Sequence, residues 1–405
     1  MNKDRLVVLY NHLLVGGIEN YVIELFKASY ETGKELYWIC HDNYLVADVY
    51  KKDITKYGVK TITKKEFYAK DGFGLRNYSS GRTIVITFAF FDYIEGVKLF
   101  RTLPEEKSSV LLLIPHFKGY SIFPENIFKG SVLNYAKRVV KNIYERSIGN
   151  NCILFFNARH AEIVEDNYDL KIEKVQIVQG LHEKEPFNES EVEQRYNSPA
   201  FTIVSAGRFE FPHKGYLIGL IKLFGQLKEK YPQLRLLIIG DGRNKEMVEN
   251  TIRELPQYVQ NAIEIHPSVS LTELQHIYKE CNLSVSVAGC VCESGKVGLV
   301  SLPARHYTYD CEVYGFFPES RYSTTDDREG YPAMPYIEKV INATKEEYIK
   351  LSREAYESFV PNTIDKEYLF KLDSHIIRLS KKETIQLNII KILQSIAFRM
   401  GNKQV

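Results

Sequence analysis

The chain has 405 residues, more than one hydrophobic core usually supports, so two domains of about 200 residues each are expected. Hydrophobic residues make up 44% of the sequence and charged residues 26%, a composition typical of globular proteins rather than disordered or membrane-spanning ones. The 53 basic and 51 acidic residues leave a formal charge of +2, without the basic excess of nucleic-acid-binding proteins. Nucleic acid is therefore not expected as a partner.

The cysteines and the apolar segments indicate a cytoplasmic protein. Six cysteines are spread along the chain, several within apolar runs, where reduced thiols behave as small hydrophobes. The first residues lack the apolar stretch and cleavage site of a signal peptide, and no run of about 18 uncharged apolar residues predicts a transmembrane helix. Peripheral attachment to the inner face of the cell membrane is left open.

Short apolar runs alternate with helical patterns in the first half of the chain, as in βαβ units around a parallel sheet. The run 5–10 predicts the first strand, Gly16 and Gly17 its exit, and 18–30 a helix with one apolar face. Further strands of this sheet are predicted at 36–40, 83–88, 109–114 and 152–156.

A polar, proline-containing stretch at 183–198 has no core-facing periodicity and predicts a linker between domains. The predicted domains are 1–182 and 199–375, and a helical segment at 376–405 is expected to pack back on the first domain. In the second domain, strands are predicted at 201–206, 234–239 and 283–287, and helices at 216–230, 245–255 and 271–280. The fold class is therefore α/β with two doubly wound domains, and ligands are expected at the carboxyl ends of the strands.

The segment between the strand at 201–206 and the next helix has the residues of an anion site. Gly207 lets the backbone leave the strand sharply, and Arg208 and Lys214 place a forked and a point cation near the helix entrance. Such a loop suits a diphosphate; the alternative is a solvated loop with two incidental cations. His213 lies in the same loop, either as a further phosphate contact or as an ordinary exposed histidine.

This segment resembles the start of the C-terminal domain in family-4-like GT-B glycosyltransferases, where a Gly-Arg pair and a Lys-Gly pair stand between a strand and a helix. The matching pairs are Gly207-Arg208 and Lys214-Gly215. The resemblance covers nearly the whole chain and implies the GT-B fold, with two Rossmann-like domains facing each other across a cleft. It makes 1–182 the acceptor-side domain and 199–375 the domain that binds the nucleotide sugar.

The resemblance also implies roles for the two cations. In the family, the arginine and lysine neutralise the nucleoside diphosphate as it leaves, and the sugar is transferred with retention of anomeric configuration. Arg208 and Lys214 are therefore predicted as catalytic and donor-binding residues, which agrees with the stabilisation of developing charge by fixed cations. No cofactor is expected, because the nucleoside-diphosphate sugar is a co-substrate.

Two pairs of glycines are further candidates for the donor site. Gly240 and Gly242 lack the third glycine of a dinucleotide fingerprint, so NAD binding is not expected. A glycine-eased strand exit is the favoured interpretation of this pair, with nucleotide contact as the second. Gly16 and Gly17 form either a plain turn or a close backbone approach to the sugar phosphate, and the resemblance favours the latter.

His116 follows the strand at 109–114, where family members commonly place a histidine that contacts the transferred sugar or the acceptor. It is predicted to form acceptor-side hydrogen bonds, with a simple strand cap as the alternative.

The acidic motif of the family is degenerate in this sequence. Relatives carry two glutamates separated by seven residues, one near the sugar and one on the ribose. Aligning Gly298-Leu-Val with the corresponding family run puts Gly295 and Pro303 at those positions, and neither can act as a carboxylate. Nearby side chains proposed as substitutes or additional contacts are Glu293 for catalysis, Glu312 for the ribose and Lys296 for the phosphates.

Cys290, Cys292, His306 and Cys311 do not match any standard zinc spacing, so no metal is expected. Two basic amphipathic stretches are expected to bury their apolar stripes in their own domain, with membrane-surface contact as the alternative. The first stripe comprises Val132, Ala136, Val139 and Ile143, opposite Lys137, Arg138 and Lys141. The second comprises Ile385, Ile389, Ile392, Leu393 and Ile396, near Lys391 and Arg399.

Together these features predict transfer of a hexosyl or deoxyhexosyl unit from a nucleoside-diphosphate sugar to a saccharide. The expected acceptor is a lipid-linked intermediate of capsular, exo- or cell-wall polysaccharide synthesis. The alternatives are a GT-B partner or binding subunit without turnover, suggested by Gly295 and Pro303, and a sugar-nucleotide epimerase.

Overall fold

The structure, a computed structural model, describes most of the chain and divides it into two compact units. Unit 1 comprises Met1–Leu14, Tyr21–Leu181 and Thr363–Val405, and unit 2 comprises Val15–Asn20 and His182–Asn362. The residues described are 3–69, 71–75, 81–115, 130–178, 181, 185–320, 329–358 and 365–401.

Unit 1 is built on a six-stranded parallel sheet with the order β3-β2-β1-β4-β5-β6. Its strands are β1 (Arg5–Leu9), β2 (Glu35–Cys40), β3 (Lys60–Thr63), β4 (Thr83–Thr87), β5 (Ser108–Ile114) and β6 (Ile153–Phe155). Its first helices are α1 (Gly17–Glu31), α2 (Asp48–Lys56), α3 (Lys64–Ala69), α4 (Phe90–Leu99), α5 (Ser131–Gly149) and α6 (Ala158–Tyr168). The central strands are buried on both faces, which explains why they are continuous apolar runs in the sequence.

Unit 2 has a five-stranded parallel sheet with the order β11-β10-β7-β8-β9. Its strands are β7 (Phe201–Ala206), β8 (Leu234–Ile239), β9 (Ile263–His266), β10 (Leu283–Ser286) and β11 (Ser301–Pro303), and a small antiparallel pair is formed by β12 (Glu312–Val313) and β13 (Tyr331–Pro332). Its helices are α7 (Glu189–Tyr196), α8 (Tyr216–Lys230), α9 (Lys245–Arg253), α10 (Gln257–Gln260), α11 (Leu271–Glu280), α12 (Gly289–Lys296), α13 (Phe317–Ser320), α14 (Met334–Ile341) and α15 (Lys345–Ser358). The predicted α/β class, with two doubly wound sheets, is confirmed.

The stretch 183–198, predicted as a linker, contains helix α7. Asn188 caps this helix by accepting a hydrogen bond from the backbone N–H of Glu191. Val192 is fully buried in the core of unit 2. Arg195 is also buried, and its guanidinium donates to the carbonyl oxygens of Gly298 at 2.9 Å and Val297 at 3.4 Å. The helix lacks an apolar stripe in the sequence because a buried arginine occupies part of its core-facing side.

The C-terminal segment belongs to unit 1 and contributes α16 (Tyr368–Lys371) and α17 (Lys381–Gly401). Arg82, just before β4, donates to the carbonyl oxygens of Phe370 at 2.6 Å and Ser374 at 2.9 Å. The hydroxyl of Ser109 donates to the same Ser374 carbonyl at 2.5 Å. These hydrogen bonds hold the C-terminal segment against the end of the sheet at which strands β4 and β5 begin.

The two amphipathic stretches differ in what they bury. In α5, Ala136, Val139 and Ile143 are buried in unit 1, as predicted. In α17 the prediction is wrong, because most of the predicted stripe is exposed and the buried side chains are Leu387 and Ile390, on another face of the helix. Within the described residues, no helix is long and apolar enough to span a membrane.

Candidate functional site

The candidate site lies in unit 2, in the loop that joins β7 to α8. We call residues 207–215 the cation loop. Backbone N–H groups on either side of the strand exit are bound by neighbouring elements: Ala206 donates to the Ser286 hydroxyl at 3.1 Å and Gly207 to the Ile239 carbonyl at 2.9 Å. The loop therefore starts from the carboxyl end of the central strand, flanked by the ends of β8 and β10. This is the edge at which open parallel sheets bind ligands.

The two glycines that follow β8 pack closely against the backbone of the cation loop. A side chain at Gly240 would overlap the carbonyl oxygen of Gly207, and a side chain at Gly242 would overlap that of Phe209. The N–H of Phe209 donates to the Asp241 carbonyl at 2.9 Å, which joins the two loops. The glycine pair therefore permits close backbone packing, which agrees with the favoured strand-exit interpretation. Its contact with a nucleotide stays a prediction.

Lys214 turns back across the start of the cation loop. Its Nζ lies 2.9 Å from the point where a Cβ on Gly207 would be, so glycine is needed there to make room for the ammonium group. Burial lowers the pKa of Lys214 and the charge of Arg208 lowers it further, whereas Cys290, Glu210 and Glu19 act in the opposite direction. Among the described residues, no carboxylate lies within ion-pair distance of this ammonium group. A partly desolvated cation of this kind gains from a bound anion.

Arg208 provides the second cation of the loop and is about one-third exposed. Its Nε lies 3.9 Å from a carboxylate oxygen of Glu210, a loose ion pair that leaves the planar fork available. A side chain at Gly16 would come within 2.7 Å of Nη2 of Arg208. The segment Val15–Asn20, which holds Gly16 and Gly17, is part of unit 2, and Gly16 lies beside Arg208.

Helix α12, which follows β10, brings a third group of predicted residues to the site. Gly17 approaches its first residue, with 4.0 Å between the Cα of Gly17 and a Cβ placed on Gly289. Cys290 is close enough to Lys214 for each to influence the pKa of the other. Glu293, one turn further, is buried and accepts a hydrogen bond from Gln275 Nε2 at 2.9 Å.

The structure explains why Gly295 and Pro303 are not acidic. A side chain at Gly295 would lie 2.8 Å from the ring of Phe317, and Pro303 is a buried residue of β11 paired with Ser286. Both positions belong to the packed interior of unit 2. Glu293 is the carboxylate that α12 itself contributes.

Two further residues predicted to contact the donor lie beside side chains of opposite charge. Glu312 accepts a hydrogen bond from Arg305 Nη1 at 2.6 Å. Lys296 is the last residue of α12, at the opposite end of the helix from Cys290, and lies near Glu185. The structure therefore does not bring Lys296 to the cation loop, and its phosphate contact stays a prediction. His116 lies outside the described residues.

Sequence reasoning missed the residues that support the far end of the cation loop. The ring of His213 stacks on that of His306, with centroids 4.9 Å apart and planes 9° from parallel. The N–H of Tyr307 donates to the His213 carbonyl at 3.1 Å. Nothing in the sequence pairs the segment around residue 306 with residue 213. No cluster of metal-ligating side chains occurs in the part of the chain described here.

Comparison with known proteins gives one family match and many structural matches. Residues 187–294 match the family described as Glycosyl transferases group 1. No curated protein sequence gives a significant match to the chain.

Three solved structures illustrate the likeness. HepE from Anabaena in complex with UDP-glucose is 15% identical, with a TM-score of 0.58 over 91% of this chain and 97% of that one. A mutant of S. aureus TarM in complex with Fondaparinux, alpha-GlcNAc-glycerol and UDP is 11% identical, with a TM-score of 0.57 over 92% of this chain and 98% of that one. A glycosyltransferase from Rickettsia africae is 13% identical, with a TM-score of 0.55 over 96% of this chain and 98% of that one. At these identities the likeness establishes the fold.

Proposed function

We propose that the chain transfers a sugar from a nucleoside-diphosphate sugar to a saccharide acceptor. It has the GT-B fold, and residues 187–294 match the group 1 glycosyl transferases. The observation that carries this proposal is the cation loop. Lys214 is partly desolvated and free of ion pairs among the described residues, beside the forked cation of Arg208. A diphosphate supplies negative charge that both cations can contact directly.

The chemistry required of these residues is electrostatic. As the bond between the sugar C1 and the diphosphate oxygen breaks, the electron pair stays on that oxygen and the diphosphate gains negative charge. Arg208 binds such an oxygen pair with its planar fork, and Lys214 adds a point charge. Because both cations are fixed before the bond breaks, they stabilise the transition state more than the ground state. The acceptor hydroxyl forms the new bond to C1, and its proton passes to the departing diphosphate oxygen.

Glu293 is the acidic residue that we assign to the donor side of the site. It lies one helical turn after Cys290, which is next to Lys214. A buried carboxylate accepts hydrogen bonds from sugar or ribose hydroxyls, and its present donor, Gln275, holds it in place. Transfer with retention of configuration, and acceptor contact by His116, remain part of the proposal on the strength of the family resemblance.

The proposed acceptor is a lipid-linked saccharide, met at the cytoplasmic face of a membrane. Among the structural neighbours, HepE was solved with UDP-glucose and TarM with alpha-GlcNAc-glycerol and UDP. These ligands support a sugar nucleotide as the donor and a saccharide as the acceptor. UDP-sugars are therefore the first donors to test.

The test is release of free nucleotide from a panel of UDP-, GDP- and dTDP-sugars in the presence of saccharide acceptors. The Arg208→Ala and Lys214→Met variants should each lose at least about tenfold in nucleotide affinity, since each removes a charge-assisted contact. Lys222→Met is the matched control, because Lys222 is an exposed lysine on α8 outside the cation loop.

The outcomes separate the candidate functions. No nucleotide release and no thermal shift with any donor would overturn the proposal. Nucleotide binding without turnover, unchanged in a Glu293→Gln variant, would identify a binding subunit. An isomerised sugar nucleotide formed without acceptor, detected by NMR, would identify an epimerase.

A further inference from the structure

Helix α17 carries an apolar face that the structure leaves in solvent. Four isoleucines three or four residues apart form one stripe along the helix, with relative exposures from 46% to 61%. We call this stripe the isoleucine face; its members are Ile385, Ile389, Ile392 and Ile396. Leu387 and Ile390 hold the helix on unit 1 from another side. Single exposed isoleucines are common, but four in one row form a patch that marks an interaction surface.

The charge beside the isoleucine face is positive. Lys381 and Lys382 are exposed and, at about 100° per residue, lie within about 60° of the centre of the stripe. The only acidic residue of α17 is Glu383, which turns away and accepts a hydrogen bond from Arg146 Nη2 at 2.6 Å. The exposed side of the helix therefore joins apolar side chains to cations without a carboxylate among them.

A polar groove continues this surface onto α5. It has a volume of about 510 Å³ and lies between α5 and the first turns of α17. Arg138 and Lys382 face it, together with the hydroxyl-bearing Tyr135 and the amides of Asn142 and Gln386. Glu383 also lines the groove, and its carboxylate is paired with Arg146. Neither cation forms an ion pair with any residue that the structure describes. The groove has the donors that a phosphate group needs.

We propose that the isoleucine face and its flanking cations dock the protein on an anionic lipid surface. The isoleucines enter the boundary between headgroups and acyl chains, while Lys381, Lys382 and Arg138 bind lipid phosphates. A second copy of the chain is disfavoured as the occupant, because pairing two such faces would bring like charges together, and the one carboxylate of the helix, Glu383, is already paired with Arg146. The inference does not depend on sugar transfer, since residues of unit 1 alone carry it.

The test is flotation of the full chain with vesicles of phosphatidylcholine alone and of phosphatidylcholine mixed with phosphatidylglycerol. We expect binding to the anionic vesicles that weakens in high salt. The double variant Ile389→Ser/Ile392→Ser should lower the partition coefficient by at least about tenfold, because it removes apolar area from the contact. Lys381→Gln/Lys382→Gln should lower it by roughly tenfold and remove most of the preference for anionic lipid.

The matched control is Ile177→Ser, which removes an exposed isoleucine of unit 1 outside α5 and α17 and should bind like the parent protein. All these positions are exposed, so thermal unfolding should be unchanged. Parent protein that stays unbound with both vesicles, or a double isoleucine variant that binds as well as the parent, overturns the proposal. A dimer in sedimentation that the double variant converts to monomer overturns it in favour of a second copy. Nucleotide release to a soluble acceptor reports on the proposed transferase function separately.

Discussion

Lys214 has two properties that ordinary surface lysines do not combine. It is partly removed from water, and it lies beside the positive charge of Arg208, and both effects lower the pKa of its ammonium group. The space for it is created by the absence of a side chain at Gly207. The charge of a bound diphosphate would oppose both effects, because it favours the ammonium form. The proposed donor binding is therefore linked to protonation of Lys214.

This linkage predicts the pH dependence of donor affinity. The pKa of Lys214 is lowered from 10.5, so the free protein loses the ammonium charge at a lower pH than an ordinary lysine would. Above that lowered pKa, binding must take up a proton, and the dissociation constant should rise by about tenfold per pH unit. Below it, affinity should not depend on this lysine's titration. Calorimetric titrations across alkaline pH measure the slope.

The Lys214→Arg variant is the control for this prediction. Its guanidinium stays charged throughout the range, so any pH dependence that remains belongs to the nucleotide or to other groups. Equal slopes in the parent and in the variant would show that Lys214 does not titrate in the binding equilibrium.

At the scale of elements, the proposed donor site depends on how closely the exits of β7 and β8 approach each other. Gly240 has φ of +158°, a conformation that L side chains rarely adopt, and a methyl group there would overlap the Gly207 carbonyl. Gly240→Ala should therefore lower the free energy of unfolding of unit 2 by about 2–4 kcal/mol and weaken nucleotide binding. Denaturant unfolding and nucleotide titration measure the two effects.

Gly225→Ala supplies the comparison for that variant. Gly225 lies within α8, and the nearest atom to an added methyl group is the flexible Leu255 side chain at 3.2 Å. Nucleotide affinity should be unchanged in this variant. If Gly240→Ala also left affinity and stability unchanged, the junction of the two loops would not be needed for the site.

The elements that the sequence predicted best are those with many buried apolar residues in a row. Strands β7 and β8 match their predicted bounds residue for residue. The missed strands β3, β9 and β11 are short and lie at sheet edges; in β3 only Ile62 is buried, and β11 contains Pro303. A short edge strand has too few core-facing residues to produce a period, so pattern reasoning could not find it.

The same distinction holds for the candidate site. The neighbouring positions of Arg208 and Lys214 were predictable because the strand, the loop and the helix that place them are consecutive in the sequence. The stacking of His213 on His306 was not, because it joins segments far apart along the chain. The lack of space for a side chain at Gly295 likewise depends on Phe317, which lies further along the chain. Tertiary contacts of this kind leave no local pattern.

At the scale of the whole molecule, unit 1 depends on the end of the chain. Arg82 holds the C-terminal segment through the Phe370 and Ser374 carbonyls and is partly buried. Arg82→Met should lower the free energy of unfolding of unit 1 by about 2–3 kcal/mol, because it removes the donor to the Phe370 carbonyl and leaves the Ser374 carbonyl with the Ser109 hydroxyl alone. Nucleotide binding in unit 2 should persist. Thermal unfolding with and without nucleotide separates the two units.

Arg101→Met is the matched control, since Arg101 is an exposed arginine of the same unit. Its unfolding profile should equal that of the parent protein. A single unfolding transition that shifts equally for both units in Arg82→Met would contradict the expectation that the two units unfold independently.

Because the C-terminal segment of the chain completes unit 1, it also affects the order in which the two units fold during synthesis. During translation, the strands of the five-stranded sheet of unit 2, which end at Pro303, are made before Thr363–Val405. Unit 2 can therefore complete its sheet while Arg82 still lacks the Phe370 and Ser374 carbonyls that it binds in the finished protein. The half of the protein that is made first is the half that finishes folding last, the reverse of the usual order in which nascent domains mature from the N-terminus.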